Sequence, residues 1–128
     1  MSAARILVLE DNLINLKLVC DTLKYEGYEI FKAVNAEEAQ QIIDQNRPDL
    51  VLLDIALPGM DGLTFTRKLR SDEKTKDLVI VALTAFAMVG DKQKALDAGC
   101  NGYITKPIDI ENLPAIIAGY LPVQPKDS

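Results

Sequence analysis

The sequence predicts an α/β fold built on a five-stranded parallel sheet with helices on both faces. Short, nearly continuous apolar runs alternate five times with longer amphipathic segments along the 128 residues. Strands buried on both faces give such continuous runs, and their alternation with helices is typical of a parallel sheet. Because crossovers between parallel strands are right-handed, we expect a doubly wound arrangement, although periodicity does not give the strand order.

The five predicted strands are short apolar runs that end at polar or turn-forming residues. They are residues 5–9, 29–33, 50–53, 78–83 and 102–105. The third run is the strongest strand signal, because it follows Pro48 and Asp49 and consists only of aliphatic residues. We assign residues 1–122 to one domain and residues 123–128 to a polar C-terminal tail.

The five predicted helices carry apolar residues three or four positions apart, which is the spacing of one helical face. They are residues 12–26, 35–46, 62–70, 91–98 and 109–121. The apolar face of the first helix consists of Leu13, Leu16, Val19, Cys20 and Leu23. Asp11 or Asn12 can cap this helix, and Gly27 can end it.

The last predicted helix contains a conflict at Pro114. Its apolar face consists of Leu113, Ile116, Ile117 and Tyr120. If the helix is capped by Asp109, the proline lies beyond the first turn and removes one backbone donor. Either the helix begins near Asn112, or its first turn is distorted.

Composition excludes several classes of function. The net charge of −5 argues against general binding of nucleic acids or acidic membranes. The sequence contains no histidine, which excludes Ser-His-Asp and Cys-His catalysis. Cys20 and Cys100 lack CxxC spacing, so we expect buried thiols and no zinc site. With no apolar run near the ~20 residues of a membrane span and no signal peptide, we predict a cytoplasmic location.

Polar residues suited to chemistry follow successive predicted strands. Glu10 and Asp11 follow the first strand, Asp54 ends the third, Thr84 follows the fourth and Lys106 follows the fifth. Ligands of open parallel sheets bind outside the carboxyl ends of the strands. Each residue alone has an ordinary explanation as a helix cap or a surface side chain. Their occurrence at successive strand ends predicts a site.

The chemistry of that site follows from its charges. Carboxylates ~4 Å apart repel by about 4 kcal/mol per pair at an effective dielectric of about 20, so the cluster must bind a cation or raise a pKa. Oxygen ligands suit Mg²⁺. An aspartate can act as a nucleophile and form an aspartyl phosphate, while a lysine and a hydroxyl stabilise phosphoryl oxygens. The residues therefore support phosphoryl transfer onto Asp54.

The segments around these residues resemble the receiver domains of two-component response regulators. The resemblance rests on residues 6–12, 50–62, 83–85 and 102–107 and extends over residues 5–121. The stretch from Thr84 to Asp91 is most similar to DivK-type stand-alone regulators and to the receivers of hybrid kinases. The family has a flavodoxin-like (βα)5 fold, which is the expected fold here.

The resemblance implies a role for each site residue. Asp54 would be the phosphoacceptor. Asp11 would hold Mg²⁺ directly and Glu10 largely through water, and the backbone carbonyl of Ala56 would be a further ligand. Lys106 would pair with the phosphoryl group.

Further residues of the family's switch also have counterparts here. Thr84 would follow the phosphoryl group, and Tyr103 would turn inward when Thr84 moves. The peptide bond between Lys106 and Pro107 would be cis, which is feasible because a cis bond before proline costs only about 1 kcal/mol.

The resemblance also implies partners. The phosphoryl donor would be a sensor histidine kinase or a histidine phosphotransfer protein, because this sequence has no histidine of its own. Output would be phosphorylation-dependent binding of a downstream protein by a monomer. No nucleic acid or membrane would be involved, and no other substrate would be turned over enzymatically. The expected partner surface consists of Phe86, Met88, Val89 and Ile110.

Three other functions remain open at this point. The first is a pseudo-receiver that binds partners without phosphorylation. The second is a flavodoxin-like FMN protein, although Glu10 and Asp11 would repel a phosphate after the first strand. The third is a phosphatase with an aspartate nucleophile, although Asp54-Ile55-Ala56 lacks the second acid of an Asp-x-Asp pair.

Overall fold

The computed structural model describes residues 4–56, 61–84 and 89–121. The predicted tail at 123–128 lies outside these ranges, as do Phe86 and Met88 of the predicted partner surface and the side chain of Val89. The assignment of residues 1–122 to one domain therefore stays a prediction.

Five strands form one parallel sheet in the order β2-β1-β3-β4-β5. They are Arg5–Leu9 (β1), Glu29–Ala33 (β2), Leu50–Asp54 (β3), Val79–Thr84 (β4) and Gly102–Thr105 (β5). The chain runs outward from β1 to β2, crosses back to β3 and then continues to β4 and β5. This confirms the doubly wound parallel sheet, and it places the reversal of winding between β1 and β3.

The described ranges contain five helices. They are Leu13–Tyr25 (α1), Ala36–Gln45 (α2), Gly62–Ser71 (α3), Val89–Ala98 (α4) and Leu113–Tyr120 (α5). Helices α1 to α4 connect successive strands, and α5 follows β5. Buried side chains of α1 and α5 pack on one face of the sheet, and those of α2, α3 and α4 pack on the other. Among the described residues, no helix combines the length and the apolar character needed to cross a membrane. The cytoplasmic location stays a prediction.

The central strand β3 shows how the sheet separates two apolar cores. Leu50 and Leu52 pack with α1 and α5, whereas Val51 and Leu53 pack with the helices on the other face. Since side chains alternate between the faces of a strand, Asp54 continues the row of Leu50 and Leu52. The same alternation places Glu10, after β1, on the α1 and α5 face.

Side-chain caps fix where the helices begin. Of the two predicted caps of α1, Asn12 is the one used, because its side-chain oxygen accepts hydrogen bonds from the amides of Ile14 and Asn15 at 3.0 Å. Asn35 caps α2 in the same way. Gly27 follows α1 with a φ of 96°, a left-handed conformation that glycine adopts without strain.

The structure corrects three predictions about the helices. Leu13 is 68% exposed instead of buried, because it lies in the first turn of α1, at the edge of the sheet where the strands end. α4 begins at Val89 and not at residue 91, since a glycine such as Gly90 is tolerated in a first helical turn.

The third correction concerns α5. It begins at Leu113 and not near residue 109, because Pro114 is accepted only within a first turn. The alternative in which the helix begins near Asn112 is therefore confirmed. Ile116, predicted to belong to the apolar face, is 36% exposed.

Candidate functional site

Three carboxylates meet at the carboxyl edge of the sheet, at the reversal between β1 and β3. Glu10 directly follows β1 and is fully buried, Asp54 ends β3 and is 4% exposed, and Asp11 is exposed. One oxygen from each carboxylate lies within 4.8 Å of one from each of the others. The sequence-predicted acids are therefore brought together, and one side of their cluster opens to solvent through Asp11.

Lys106 reaches this cluster from β5, two strands away from β3. Its amide donates a 2.7 Å hydrogen bond to the carbonyl of Thr84, which fixes the backbone at the end of β5. Its ammonium donates a hydrogen bond to Asp54 Oδ2 at 2.7 Å and lies 3.0 Å from Glu10 Oε1. The peptide bond from Lys106 to Pro107 is cis, as the resemblance implied.

Backbone contacts orient the Asp54 carboxylate. Its Oδ1 accepts a hydrogen bond from the Ala56 amide at 2.9 Å, while Oδ2 faces Lys106. α3 begins close to this turn, because a side chain at Gly62 would place its Cβ 2.6 Å from the Asp54 carbonyl oxygen. Gly62 is therefore required by the close approach of the helix to the end of β3.

The charges at the site are unbalanced. Burial raises the pKa of Glu10 above its ordinary value and Asp54 raises it further, against the Asn12 amide and Lys106, which lower it. Burial alone would lower the pKa of Lys106, but its hydrogen bond with Asp54 and its charge interactions with Asp54 and Glu10 raise it. Within the part of the chain that the structure describes, Lys106 pairs with two of the three acids, Glu10 and Asp54, and the cluster favours an added cation.

One oxygen of Glu10 shows that the residues fit a metal ion. Oε2 accepts a hydrogen bond from the Asn12 amide at 3.1 Å. Oε1 is buried and has no hydrogen-bond partner among the described residues, since Lys106 approaches it at ion-pair distance but not at a hydrogen-bonding angle. A buried carboxylate oxygen with spare accepting capacity, beside two further carboxylates, matches the all-oxygen ligands that Mg²⁺ prefers.

The two predicted switch residues lie on the other face of the sheet. Thr84 ends β4, is 2% exposed and pairs with Thr105, and Tyr103 pairs with Ala82. Side chains two positions apart on a strand share a face, so Thr84 lies on the same face as Ala82. Directly paired residues also share a face, so Tyr103 lies there too, under α2, α3 and α4. Tyr103 is half-buried against that core. Ile110, of the predicted partner surface, is half-buried on the α5 side.

An apolar surface beside the site was missed by the sequence analysis. Leu13, Ile14 and Leu18 of α1 are 68%, 79% and 46% exposed. Leu18 also lines a groove together with Lys106 and Pro107. We call Leu13, Ile14 and Leu18 the α1 surface. Its signal in the sequence was an excess of apolar residues, since Leu16, Val19, Cys20 and Leu23 already complete one helical face.

Comparisons with known proteins agree with this geometry. Residues 6–118 match the family model of the response regulator receiver domain. The polar-differentiation response regulator DivK of Brucella anthropi is 39% identical over 116 residues, which cover 91% of this chain and 94% of that protein.

Two solved structures are also similar. The receiver domain of the sensor histidine kinase PA1611 from Pseudomonas aeruginosa PAO1, with a magnesium ion coordinated in its active site cleft, has a TM-score of 0.84 and 33% identity, covering 93% of this chain and 98% of that one. The receiver domain of Ssk1 from Saccharomyces cerevisiae, crystallised with the histidine phosphotransfer protein Ypd1, has a TM-score of 0.86 and 31% identity, covering 93% and 89%.

Proposed function

This chain belongs to the response regulator receiver domain family of two-component systems, and from that premise we propose that it accepts a phosphoryl group on Asp54. The donor is the phosphohistidine of a sensor histidine kinase or a phosphotransfer protein. The phosphorylated form then signals by binding a downstream protein. The chain acts as a switch, and the only reactions it promotes are its own phosphorylation and dephosphorylation.

The observation that carries this proposal is the 2.7 Å contact between Lys106 Nζ and Asp54 Oδ2 inside the acidic cluster. An isolated carboxylate among acids would repel a phosphoryl group. Lys106 places a positive charge beside Asp54 Oδ2, where the oxygens of an incoming phosphoryl group must lie. Charge-assisted hydrogen bonds to phosphoryl oxygens are strong. Asp54 is therefore a nucleophile that already contacts Lys106, the residue that would stabilise the aspartyl phosphate.

The transfer exchanges one bond for another. An Asp54 carboxylate oxygen forms a bond to phosphorus as the bond between phosphorus and the imidazole nitrogen of the donor breaks. The electron pair of the broken bond returns to the imidazole ring. Lys106 then pairs with the phosphoryl oxygens, and the Thr84 hydroxyl donates to another of them.

Mg²⁺ would be held by Asp11, Asp54, Glu10 and the backbone carbonyl of Ala56. When bound, it neutralises the charge of the acids and of the incoming phosphoryl oxygens. Glu10 is fully buried and its Oε2 is already fixed by the Asn12 amide, so we propose that it acts on the ion largely through water. Exposed Asp11 is the residue placed to bind the ion directly.

The α1 surface suggests where the donor docks. It consists of apolar side chains beside the opening of the site, and a donor must bring its histidine to Asp54 within bonding distance. An exposed apolar patch next to a polar site is typical of a protein-binding surface. We therefore propose that the helices of the donor pack on Leu13, Ile14 and Leu18.

Output is proposed to begin at Thr84 and Tyr103, on the face of the sheet covered by α2, α3 and α4. Movement of the Thr84 hydroxyl toward the phosphoryl group leaves space that Tyr103 can fill. Phosphorylation shifts the balance between two conformations only through contacts such as these, which differ between them. The downstream protein would then bind the surface predicted around Phe86, Met88, Val89 and Ile110.

The proposal is tested by intact-mass measurement after incubation with acetyl phosphate, with and without Mg²⁺. We expect one phosphoryl adduct in the wild type that requires Mg²⁺ and is lost in Asp54→Asn. Asp97→Asn is the matched control, because it makes the same change at an exposed aspartate on α4. The adduct should be kept in this control.

A negative result would be followed by a phosphorylated histidine phosphotransfer protein as the donor. No adduct from either donor would contradict the proposal and would favour the pseudo-receiver. An adduct that persists in Asp54→Asn would place the acceptor elsewhere in the chain.

A further inference from the structure

Arg70, in the last turn of α3, ties together two connections at the edge of the sheet opposite Asp54. Its guanidinium donates to the carbonyl oxygens of Lys76 at 2.8 Å and Leu78 at 2.7 Å, between α3 and β4. It also donates at 2.8 Å to the Gly99 carbonyl and to Asn101 Oδ1, between α4 and β5. We call Arg70 and these four acceptors the Arg70 cluster.

The Arg70 cluster holds the carboxyl-terminal end of α4 on both sides. Asn101 Oδ1 also accepts the Ile80 amide at 2.7 Å, and the Asn101 amide donates to the Ile80 carbonyl at 2.7 Å. Gly99 has a φ of 113°, and a Cβ there would lie 2.7 Å from Cγ of Arg70. The end of α4 is therefore in contact with the arginine stem and hydrogen-bonded to its head.

The other end of α4 follows the carboxyl end of β4, which lies at the edge of the sheet that carries the site. The helix begins at Val89, five positions after Thr84, whereas its last residue, Ala98, adjoins the Arg70 cluster. A helix of ten residues is about 15 Å long, so the two ends of α4 lie near opposite edges of the sheet. Because the chain passes from the end of β4 at Thr84 into the first turn of α4, a displacement of Thr84 would be transmitted along the chain to that end of the helix, while the last turn is held.

We propose that the Arg70 cluster is the pivot on which α4 turns when Asp54 is phosphorylated. This inference rests on the proposed function and adds to it a mechanical element. A helix that is displaced at one end and fixed at the other rotates about the fixed end. Arg70 is then a positioning residue, which confines the response to the amino-terminal part of α4 and so gives the partner surface a defined second state.

The test is amide hydrogen exchange of the full chain, before and after phosphorylation with acetyl phosphate and Mg²⁺. The amides of Gly99, Cys100 and Asn101 are suitable probes, because each donates to a backbone carbonyl. Arg70→Lys keeps the charge but loses the fork of donors, and Asn101→Ala removes one acceptor without changing α3. Arg67→Lys is the matched control, since it makes the same change at an exposed arginine on the same helix.

In the unphosphorylated wild type we expect slow exchange at these probes. Exchange should be about tenfold faster in Arg70→Lys and Asn101→Ala, because a lost charged hydrogen bond changes local stability by that order, and unchanged in Arg67→Lys. Phosphorylation should alter exchange only in the first half of α4 in the wild type, and along the whole helix in the two cluster variants. All four proteins should form the Asp54 adduct to the same extent.

Two results would overturn the pivot while leaving the proposed function intact. One is an adduct accompanied by changed exchange at Gly99, Cys100 and Asn101 in the wild type. The other is a wild-type response confined to the first half of α4 that stays equally confined in both cluster variants. If no donor phosphorylates the wild type, the proposed function fails and the pivot fails with it, and the mass measurement identifies this case.

Discussion

At the scale of single residues, Lys106 decides what the acidic cluster can do. It pairs with Asp54 at 2.7 Å and with Glu10 at 3.0 Å, yet one ammonium cannot balance three carboxylates. The remaining negative charge favours a cation, and the position of the ammonium favours a phosphoryl group on Asp54. The same few side chains therefore support both the proposed metal ion and the proposed phosphoacceptor.

The two thiols illustrate the opposite case, in which burial suppresses chemistry. Burial raises the pKa of Cys20 to about 11 and also raises the pKa of Cys100, whereas an ordinary thiol here would titrate at 9.0. Folding thus favours the protonated thiol. The stability that this contributes is fully present below pH 9 and is lost as the pH rises through about 11.

We therefore predict that the native protein resists alkylation by iodoacetamide at pH 8. A rise of two pKa units leaves about 100-fold less thiolate at Cys20, and the thiolate is the nucleophile. The measurement is the rate of mass gain in buffer against the rate in urea, where both cysteines should react. A native thiol that reacts at the urea rate would show that burial neither shields it nor raises its pKa.

At the scale of elements, cap geometry makes a prediction that is independent of the site. Asn35 caps α2 by accepting the Glu38 amide at 2.8 Å, whereas Asn112 occupies the same position before α5 without a side-chain cap bond. We expect Asn35→Ala to lower the free energy of unfolding by about 1 kcal/mol and Asn112→Ala to lower it by less. Urea unfolding measures both.

The comparison is informative because both variants remove the same side chain. Equal losses of unfolding free energy would show that the cap hydrogen bond of Asn35 adds no stability. Phosphorylation of Asp54 should be unchanged in both, since neither asparagine contacts the acidic cluster.

The elements also show how far the sequence alone predicts this structure. The strands and the site acids were predictable because continuous apolar runs fix buried parallel strands, and parallel strands bring their carboxyl ends to one edge. The start of α5 and the exposure of Leu13 were not. The spacing of apolar residues shows which way Leu13 points, but not that the sheet beneath α1 ends before it. At α5, Pro114 left two starting positions of the helix equally compatible with the sequence.

Contacts between distant segments were also beyond the sequence. Nothing in the spacing of Arg70 and Asn101 indicates that they meet, because their contact depends on how α3 and the turn before β5 are placed over the sheet. The pairing of Lys106 with Glu10, as well as with Asp54, depended in the same way on the register of β1, β3 and β5.

At the scale of the whole molecule, a metal ion bound at the edge of the sheet should stabilise the fold. Ligands that bind only the native state add stability by mass action, about 2.7 kcal/mol at 100 times the dissociation constant. We predict that Mg²⁺ raises the midpoint of thermal unfolding, that Asp11→Asn reduces the shift, and that Asp97→Asn keeps it. Calorimetric scans in EDTA and in Mg²⁺ provide the measurement, and an equal shift in all three proteins would mean that the ion binds elsewhere.

The central claim is that Asp54 is the phosphoacceptor of a receiver switch. The most direct measurement is to transfer phosphate from a phosphorylated histidine phosphotransfer protein in Mg²⁺, trap the acyl phosphate by reduction with borohydride, and locate the reduced residue by peptide mass spectrometry. We expect homoserine at position 54 and at no other aspartate. Trapping at another residue, or an unmodified chain while the donor keeps its phosphate, would contradict it.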